Sequence, residues 1–527
     1  MPSRRPFVSA MTGHAAVPDV RMSTAARVFI LLTVYLLAHW ELWSRIGAPT
    51  FGWRPTDLAS IAINYYRNGF HFFYPQVMWG GAGAGHVEME FPLQPFLTAL
   101  LFKMFGQHDA LCEVLPLACG FGIVWGTDAL GRYLFGEVAG LAAAVITALS
   151  PTLVYITSVG MWADPPMVFC GTLGIYWLLR WADGDAVWRL WAGSAAIALA
   201  ILLKITGLYL GVVALYLFVR RYGVRFLQKP ATWGAAAVML LPTVLWYGHA
   251  YRMFLEDGNT FGILAAGSLK LGTRSTLTDL YIYKHTAIRI ALYHLTPLGF
   301  LAFSYGLYLS FVRREALVFA WLGAVALHAL VSFQGLRYGG HIGYLLTILP
   351  VCNVVGGLGF QTCLSGLRQR LGHRWRPAVL VPLIGAFSLL LVVNVMAASD
   401  RFNNRDLAFE TALWRGKQLT GFKVAELTRP GSLIIVADHE MDGFTPLTWM
   451  TPPDVFFYGQ RRGWYFALSW ATPERIEDAR AKGAEYFVVS ANSLTQYAAS
   501  YSALDAYLSQ HFRKINEQDG IIYDLRR

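Results

Sequence analysis

The segment Thr56–Pro95, TDLASIAINYYRNGFHFFYPQVMWGGAGAGHVEMEFPLQP, follows the first apolar run of the chain, Val28–Trp43. It combines an isolated acid (Asp57), a tyrosine pair (Tyr65, Tyr66), a glycine run and two acids two residues apart (Glu88, Glu90). Such a polar, aromatic segment needs a reason to sit beside a span. The chain around it has 527 residues, 55% hydrophobic and 14% charged, with a mean hydropathy of +0.43. A soluble domain carries about 25% charged residues, so most of this chain belongs in a bilayer, with a more polar part attached. The net charge of +11 does not indicate nucleic acid, because the basic residues lie in short clusters between apolar runs, where they set membrane orientation. The five cysteines lie in or beside apolar segments without a CxxC pair, and are expected as buried thiols rather than disulfides or zinc ligands.

A spanning helix needs about 20 apolar residues. The pattern predicts about eleven spans, centred near residues 35, 123, 146, 172, 196, 212, 240, 304, 324, 350 and 388. Arg4, Arg5, Arg21 and Arg27 precede the first, which is expected as an uncleaved helix. The clusters at Arg132, Arg180/Arg189, Arg220–Lys229, Arg313/Arg314 and Arg368–Arg376 fall in alternate loops on the side of the N-terminus, which marks that side as cytoplasmic. Leu93–Phe105 is apolar but short and carries Lys103, so it is expected to lie along the outer interface. The expected organisation is a cytoplasmic segment (1–27), a transmembrane domain (28–399) with a large outer loop (45–110), and a periplasmic α/β domain (400–527). In the last, GSLIIVAD, AEYFVVS and GIIYDL read as strands, and TPERIEDARAKG as a helix with a Thr cap and a terminal Gly.

Polar residues gather at the outer face: Asp57, His86, Glu88, Glu90, Asp164, Lys204, His249, Arg337 and His341. Lys204, in AILLKITGLYL, interrupts nearly thirty apolar residues. A charge there costs about 2.5–3.5 kcal/mol on insertion, so it needs either a partner or a route to water. Asp164, in ADPPMVF, opens a span on the same side, as an ordinary capping acid would. Arg337, beside Tyr338 at a span mouth, suits a phosphate as well as water. GGAGAG has no preceding strand and no following GK[ST], so it reads as a flexible connector and not a phosphate loop. His86, Glu90 and His249 form a weakly spaced candidate set for a divalent metal; no cofactor is otherwise expected.

The ordered set resembles the bacterial GT-C membrane glycosyltransferases of the protein O-mannosyltransferase and aminoarabinose-transferase type. The carriers are Asp57 ahead of ASIAINYYRNG, EMEFPLQP leading into LLFKMFG, and then ADPPMVF, LLKITGLYL and LRYGGHIGYLLTILP, over roughly residues 25–400. In the aminoarabinose transferases a lysine follows the glutamate and is expected to hold the donor phosphate; Phe91 stands there in this chain. The resemblance implies a GT-C-like polytopic α-helical membrane protein of the bacterial inner membrane, with its active site at the periplasmic face. It implies inverting transfer of a sugar from a polyprenyl-phosphate donor to a hydroxyl of a glycolipid, a cell-wall glycan or a protein. Asp57 becomes the candidate catalytic base, with Glu88, Glu90 and Asp164 as alternatives. Glu88, Glu90, Asp164, Lys204, Arg337, Tyr338, Tyr65 and His341 become the candidate substrate-binding set. The competing reading, a lipid or sugar transporter, calls for repeated halves and helices broken at mid-membrane; the chain has no internal repeat, and its polar residues cluster on one face.

The charge pattern makes the orientation testable. A reporter active only in the periplasm, fused after Arg527, gives signal, and one active only in the cytoplasm gives none; the opposite pair of results reverses the face of the candidate site.

Overall fold

The computed structural model describes residues 22–40, 52–265, 274–332, 342–371, 408–439 and 451–526, with a few helical positions between 382 and 393. Helices dominate to residue 371: α1 (Thr24–Ala38), α2 (Trp53–Asn68), α3 (Leu93–Phe105), α4 (Leu111–Phe135), α5 (Glu137–Ala148), α6 (Pro151–Ser158), α7 (Asp164–Ala182), α8 (Trp188–Leu203), α9 (Leu210–Tyr222), α10 (Pro230–Asp257), α11 (Arg274–Leu277), α12 (Leu280–Arg289), α13 (Thr296–Val312), α14 (Ala316–Val331) and α15 (Ile348–Leu371). An apolar helix stands at or beside each of the first ten expected centres; the eleventh, near residue 388, falls largely outside the described residues. By length and apolarity alone, four described helical segments suffice to cross a bilayer, or up to six if two sharply bent pairs each count as one. The figure of eleven is therefore not established by the described helices. With 13 residues, α3 is about 20 Å long, too short to span.

Close helix packing rests on small residues, since lipid offers no hydrophobic drive between helices. A Cβ at Gly306 of α13 would lie 1.9 Å from the Val355 carbonyl oxygen of α15, and one at Gly359 would lie 2.2 Å from the Ala302 oxygen. At one end of the bundle Arg27 is 2% exposed and meets Asp128 at 2.5 Å and also Glu137, while Arg132 reaches Asp128 at 3.1 Å. This ion-pair group ties α1, α4 and α5 together.

The tail begins with α16 (Ala408–Leu427) and forms a five-stranded sheet of order β2-β1-β3-β5-β4. Here β1 is Leu433–Asp438, β2 Arg462–Ala467, β3 Ala484–Val489, β4 Arg513–Asn516 and β5 Ile521–Asp524. The helices α17 (Asp454–Gly459), α18 (Pro473–Ala481), α19 (Leu494–Ser500) and α20 (Ser502–His511) connect the strands. The first three strands are parallel, and β5 runs antiparallel to both β3 and β4. The three expected strands are β1, β3 and β5, and the expected helix is α18, with the Thr472 hydroxyl accepting from the Arg475 N–H at 3.4 Å. β2 and β4 were not anticipated; RGWYFA and RKIN lack the apolar run that marks a buried strand.

The glycine run is not the flexible connector expected of it. Gly81 N–H donates to the Gly463 oxygen at 2.7 Å, Gly463 N–H donates to the Met78 oxygen at 2.9 Å, and Gly80 pairs with Trp464. The loop thus covers the outer edge of β2, where unpaired backbone groups would otherwise face solvent. Gly81 has φ +70°, and a Cβ there would sit 2.8 Å from Trp464 Nε1. The two halves share one apolar core: Leu58 and Ile61 of α2, Val77 and Trp79 of the loop, and Val455, Phe456 and Phe457 of α17. Gly81→Val combines left-handed strain with a clash against Trp464, and is expected to cost about 1–3 kcal/mol. Thermal unfolding in detergent and protease cutting between the two halves check this; an unchanged melting temperature removes the loop's docking role.

Candidate active site

The site begins with helix α2. Its first residue is Trp53 and its N-cap is Gly52, so Asp57 lies in the second turn and does not cap the helix. Asp57 is 2% exposed and accepts a hydrogen bond from Trp79 Nε1 at 3.0 Å. Burial pushes its pKa up to about 8; the Arg54 guanidinium and the Trp79 N–H act in the opposite direction, and the carboxylates of Asp454 and Glu90 add to the rise. Arg54, one turn earlier on the same face, stacks 4.1 Å above the Phe261 ring and faces Glu90 at 4.0 Å.

The segment Glu88–Phe91 lies between three elements. Glu88 N–H donates to the Asn259 oxygen at 3.0 Å, Phe261 N–H donates to the Glu88 oxygen at 2.8 Å, and Phe91 N–H donates to the Leu202 oxygen at 3.0 Å. Trp246 Nε1 of α10 donates to the Met89 oxygen at 3.1 Å. The two glutamates, alike in sequence, part ways here. Glu88 is fully buried and accepts from the backbone N–H of Leu264 (2.6 Å) and Ile263 (3.3 Å) and from the Thr260 hydroxyl. Its oxygens are committed to holding the 259–264 loop. Glu90 is partly exposed, and its charge acts on both Asp57 and Lys204.

Lys204 is where α8 stops: its backbone is extended (φ −158°, ψ 119°), and a short 3₁₀ turn, Ile205–Tyr209, follows. The side chain does not snorkel to water. Its Nζ lies 2.6 Å from Asp164 Oδ1 and 4.3 Å from the centre of the Tyr344 ring. Asp164 opens α7 without capping it; its carboxylate faces Lys204 and the backbone of Gly343, where a Cβ would come within 3.0 Å of it. His328 Nε2 is 2.9 Å from the Tyr344 oxygen and so supports that residue.

The remaining candidates divide. Tyr65 is buried, and its hydroxyl donates to the Phe72 oxygen at 2.7 Å, bracing the aromatic loop. His86 pairs with Asp257 at 3.1 Å, and His249 Nε2 lies 2.8 Å from the Phe73 oxygen, with Tyr74 ringed by both imidazoles. The proposed metal set of His86, Glu90 and His249 is thus not gathered around one point, and among the described residues no group of three His, Cys, Asp or Glu could hold a metal ion. Arg337, Tyr338 and His341 lie outside the described residues. Sequence reasoning missed Arg54, Trp79, Tyr344 and Asp454. Only Arg54 left a signal, its helical spacing from Asp57.

Residues 90–247 match the family model described as dolichyl-phosphate-mannose-protein mannosyltransferase. No curated protein sequence matches the chain. Among solved structures, ArnT from Cupriavidus metallidurans bound to undecaprenyl phosphate is similar at a TM-score of 0.62 and 14% identity, over 95% of this chain and 98% of that one. The Archaeoglobus fulgidus oligosaccharyltransferase, in complex with Zn and sulfate, is similar at 0.56 and 15% identity, over 91% of this chain and 69% of that one. The mycobacterial arabinofuranosyltransferase AftD is similar at 0.53 and 13% identity, over 97% and 42% respectively. The expected resemblance is thereby met: this chain has the GT-C fold of the membrane glycosyltransferases.

Proposed function

We propose that the protein is an inverting glycosyltransferase that moves a sugar from a polyprenyl-phosphate donor to an acceptor hydroxyl at the periplasmic face of a bacterial plasma membrane. The observation that carries this reading is Asp57: a buried carboxylate, held by one N–H donor, whose pKa is raised toward neutrality. A general base works best with a pKa near the operating pH. In the reaction, the acceptor oxygen attacks the anomeric carbon from the face opposite the phosphate. The sugar–phosphate C–O bond breaks, the acceptor proton passes to Asp57, and the polyprenyl phosphate departs. The leaving phosphate gains charge, which fixed cations stabilise. Lys204, at the start of the break after α8, and Arg54, beside Glu90, are the described cations nearest this chemistry; Arg337 is the third proposed. The likeness to a structure with bound undecaprenyl phosphate supports a prenyl-phosphate donor. The acceptor classes stay as expected: a glycolipid, a cell-wall glycan or a protein. No metal is assigned to the reaction.

Asp57→Asn keeps shape and removes basicity. Transfer is expected to fall about 10²–10⁴-fold with donor binding retained, as measured with radiolabelled undecaprenyl-phosphate sugars. Because Asp57 is not a helix cap, and the Asn oxygen can still accept from Trp79, no loss of stability is expected. Near-normal turnover moves the base to Glu90. In the wild type the base must be deprotonated, so kcat/KM rises with pH through a limb near about 8 and falls below it.

The ion pair gives a separate test. Lys204→Met leaves Asp164 buried without its partner and is expected to cost about 3–5 kcal/mol. The double variant Lys204→Met/Asp164→Leu recovers most of that stability but not transfer. If the double variant transfers normally, Lys204 is structural only.

A further inference from the structure

The tail domain touches the site in three ways. Helix α17 packs directly on α2, the helix that carries Asp57. Residues of both helices close one apolar core around Val77 and Trp79. The loop that presents Trp79 to Asp57 is itself held by backbone bonds from Met78 and Gly81 to Gly463 of β2. At the start of α17 stands Asp454, fully buried, in the sequence TPPDVFFY. The residues that follow it, Val455, Phe456 and Phe457, pack in the same core as Leu58 and Ile61, the neighbours of Asp57 on α2.

We propose that Asp454 is a positioning residue of the active site: the tail domain sets a second carboxylate beside Asp57 and so fixes the protonation state in which that residue works. This rests on the reading of Asp57 as the base. The charged groups acting on Asp57 come from each element packed around it. Arg54 lies on its own helix, Glu90 on the clamped segment and Asp454 on α17, while the uncharged Trp79 donates its N–H. α3, also packed on α2, turns its one cation, Lys103, to the Phe70 ring. Of these groups Asp454 is the one contributed by the tail, some four hundred residues away in the chain. A like charge beside Asp57 favours its protonated form. Removing that charge while keeping the shape makes Asp57 a stronger acid and a weaker base.

The test is an infrared titration of the full-length protein in nanodiscs, without substrate. The carbonyl band of protonated Asp57 is identified by its loss in Asp57→Asn. In the wild type the band disappears as pH rises through about 8. In Asp454→Asn it disappears at a pH lower by about one unit. In Trp79→Phe, which loses the N–H that favours the anion, it disappears at a higher pH. Transfer from undecaprenyl-phosphate-linked sugars follows: below the limb Asp454→Asn outruns the wild type by up to about tenfold, and on the alkaline plateau it is slower. A purely structural Asp454 lowers activity at every pH and leaves the band where it was, and that result overturns the proposal. Failure of the Asn variant to fold also overturns it, because an amide of the same shape is tolerated where only the charge matters. Should the band shift while Asp57→Asn still transfers sugar, the electrostatic link stands and the assignment of the base fails.

Discussion

An extended segment buried between helices cannot leave its backbone groups unpaired. Glu88–Phe91 meets that constraint by borrowing partners from three places: the loop at Asn259–Phe261, the Trp246 indole of α10, and the last carbonyls of α8. Everything else in the site follows from this. Because Phe91 is bonded to Leu202, the segment is fixed two residues from the point where α8 breaks and Lys204 turns inward. Because Glu88 is bonded on both sides, Glu90 projects toward Arg54 and the start of α2. Phe91, which stands where the aminoarabinose transferases carry a lysine, packs edge-on against Trp246 and Phe72. The position serves the clamp rather than the phosphate.

The charges are arranged in the same spirit. Lys204 and Asp164 sit at the broken ends of two packed helices, where an unpaired ion would cost several kcal/mol. Paired, they tie the two helix ends together. Gly343 lets the backbone come up against Asp164, and the Tyr344 ring covers the ammonium. Asp57 is treated differently. It has the Trp79 N–H as its hydrogen-bond donor and Arg54 one turn away, but burial outweighs both and holds its carboxyl toward the protonated form.

The sequence carried the helices, because apolar length is a local property, and it carried the three strands with continuous apolar runs. It carried Asp57 and Lys204 as anomalies against their neighbours. In the sequence, Thr-Asp before an apolar stretch has the pattern of a helix cap, yet the helix begins a turn earlier, after Gly52, so Asp57 does not cap it. It could not separate Glu88 from Glu90, since the difference lies in what the 259–264 loop does with one carboxylate. It grouped His86, Glu90 and His249, which the structure does not gather, because their partners are set by tertiary packing. The glycine run and Asp454 were invisible as site elements for a common reason. Each acts across nearly four hundred residues, through backbone pairing or burial, and neither leaves a local pattern.

The strand order bears on how the protein is made. β5 is the last strand synthesised, yet it lies between β3 and β4 inside the sheet. The segment Glu88–Phe91 is complete early, and at 5–20 residues per second the ribosome needs on the order of tens of seconds more to reach β5. Until then the tail has an open edge at β3, and α17 has no finished domain behind it. A chain that stops short of β5 thus holds the described helices to Leu371 without a finished sheet behind α17. Docking of a finished tail on α2 is therefore a late event, timed by β5 and not by the helices that precede it.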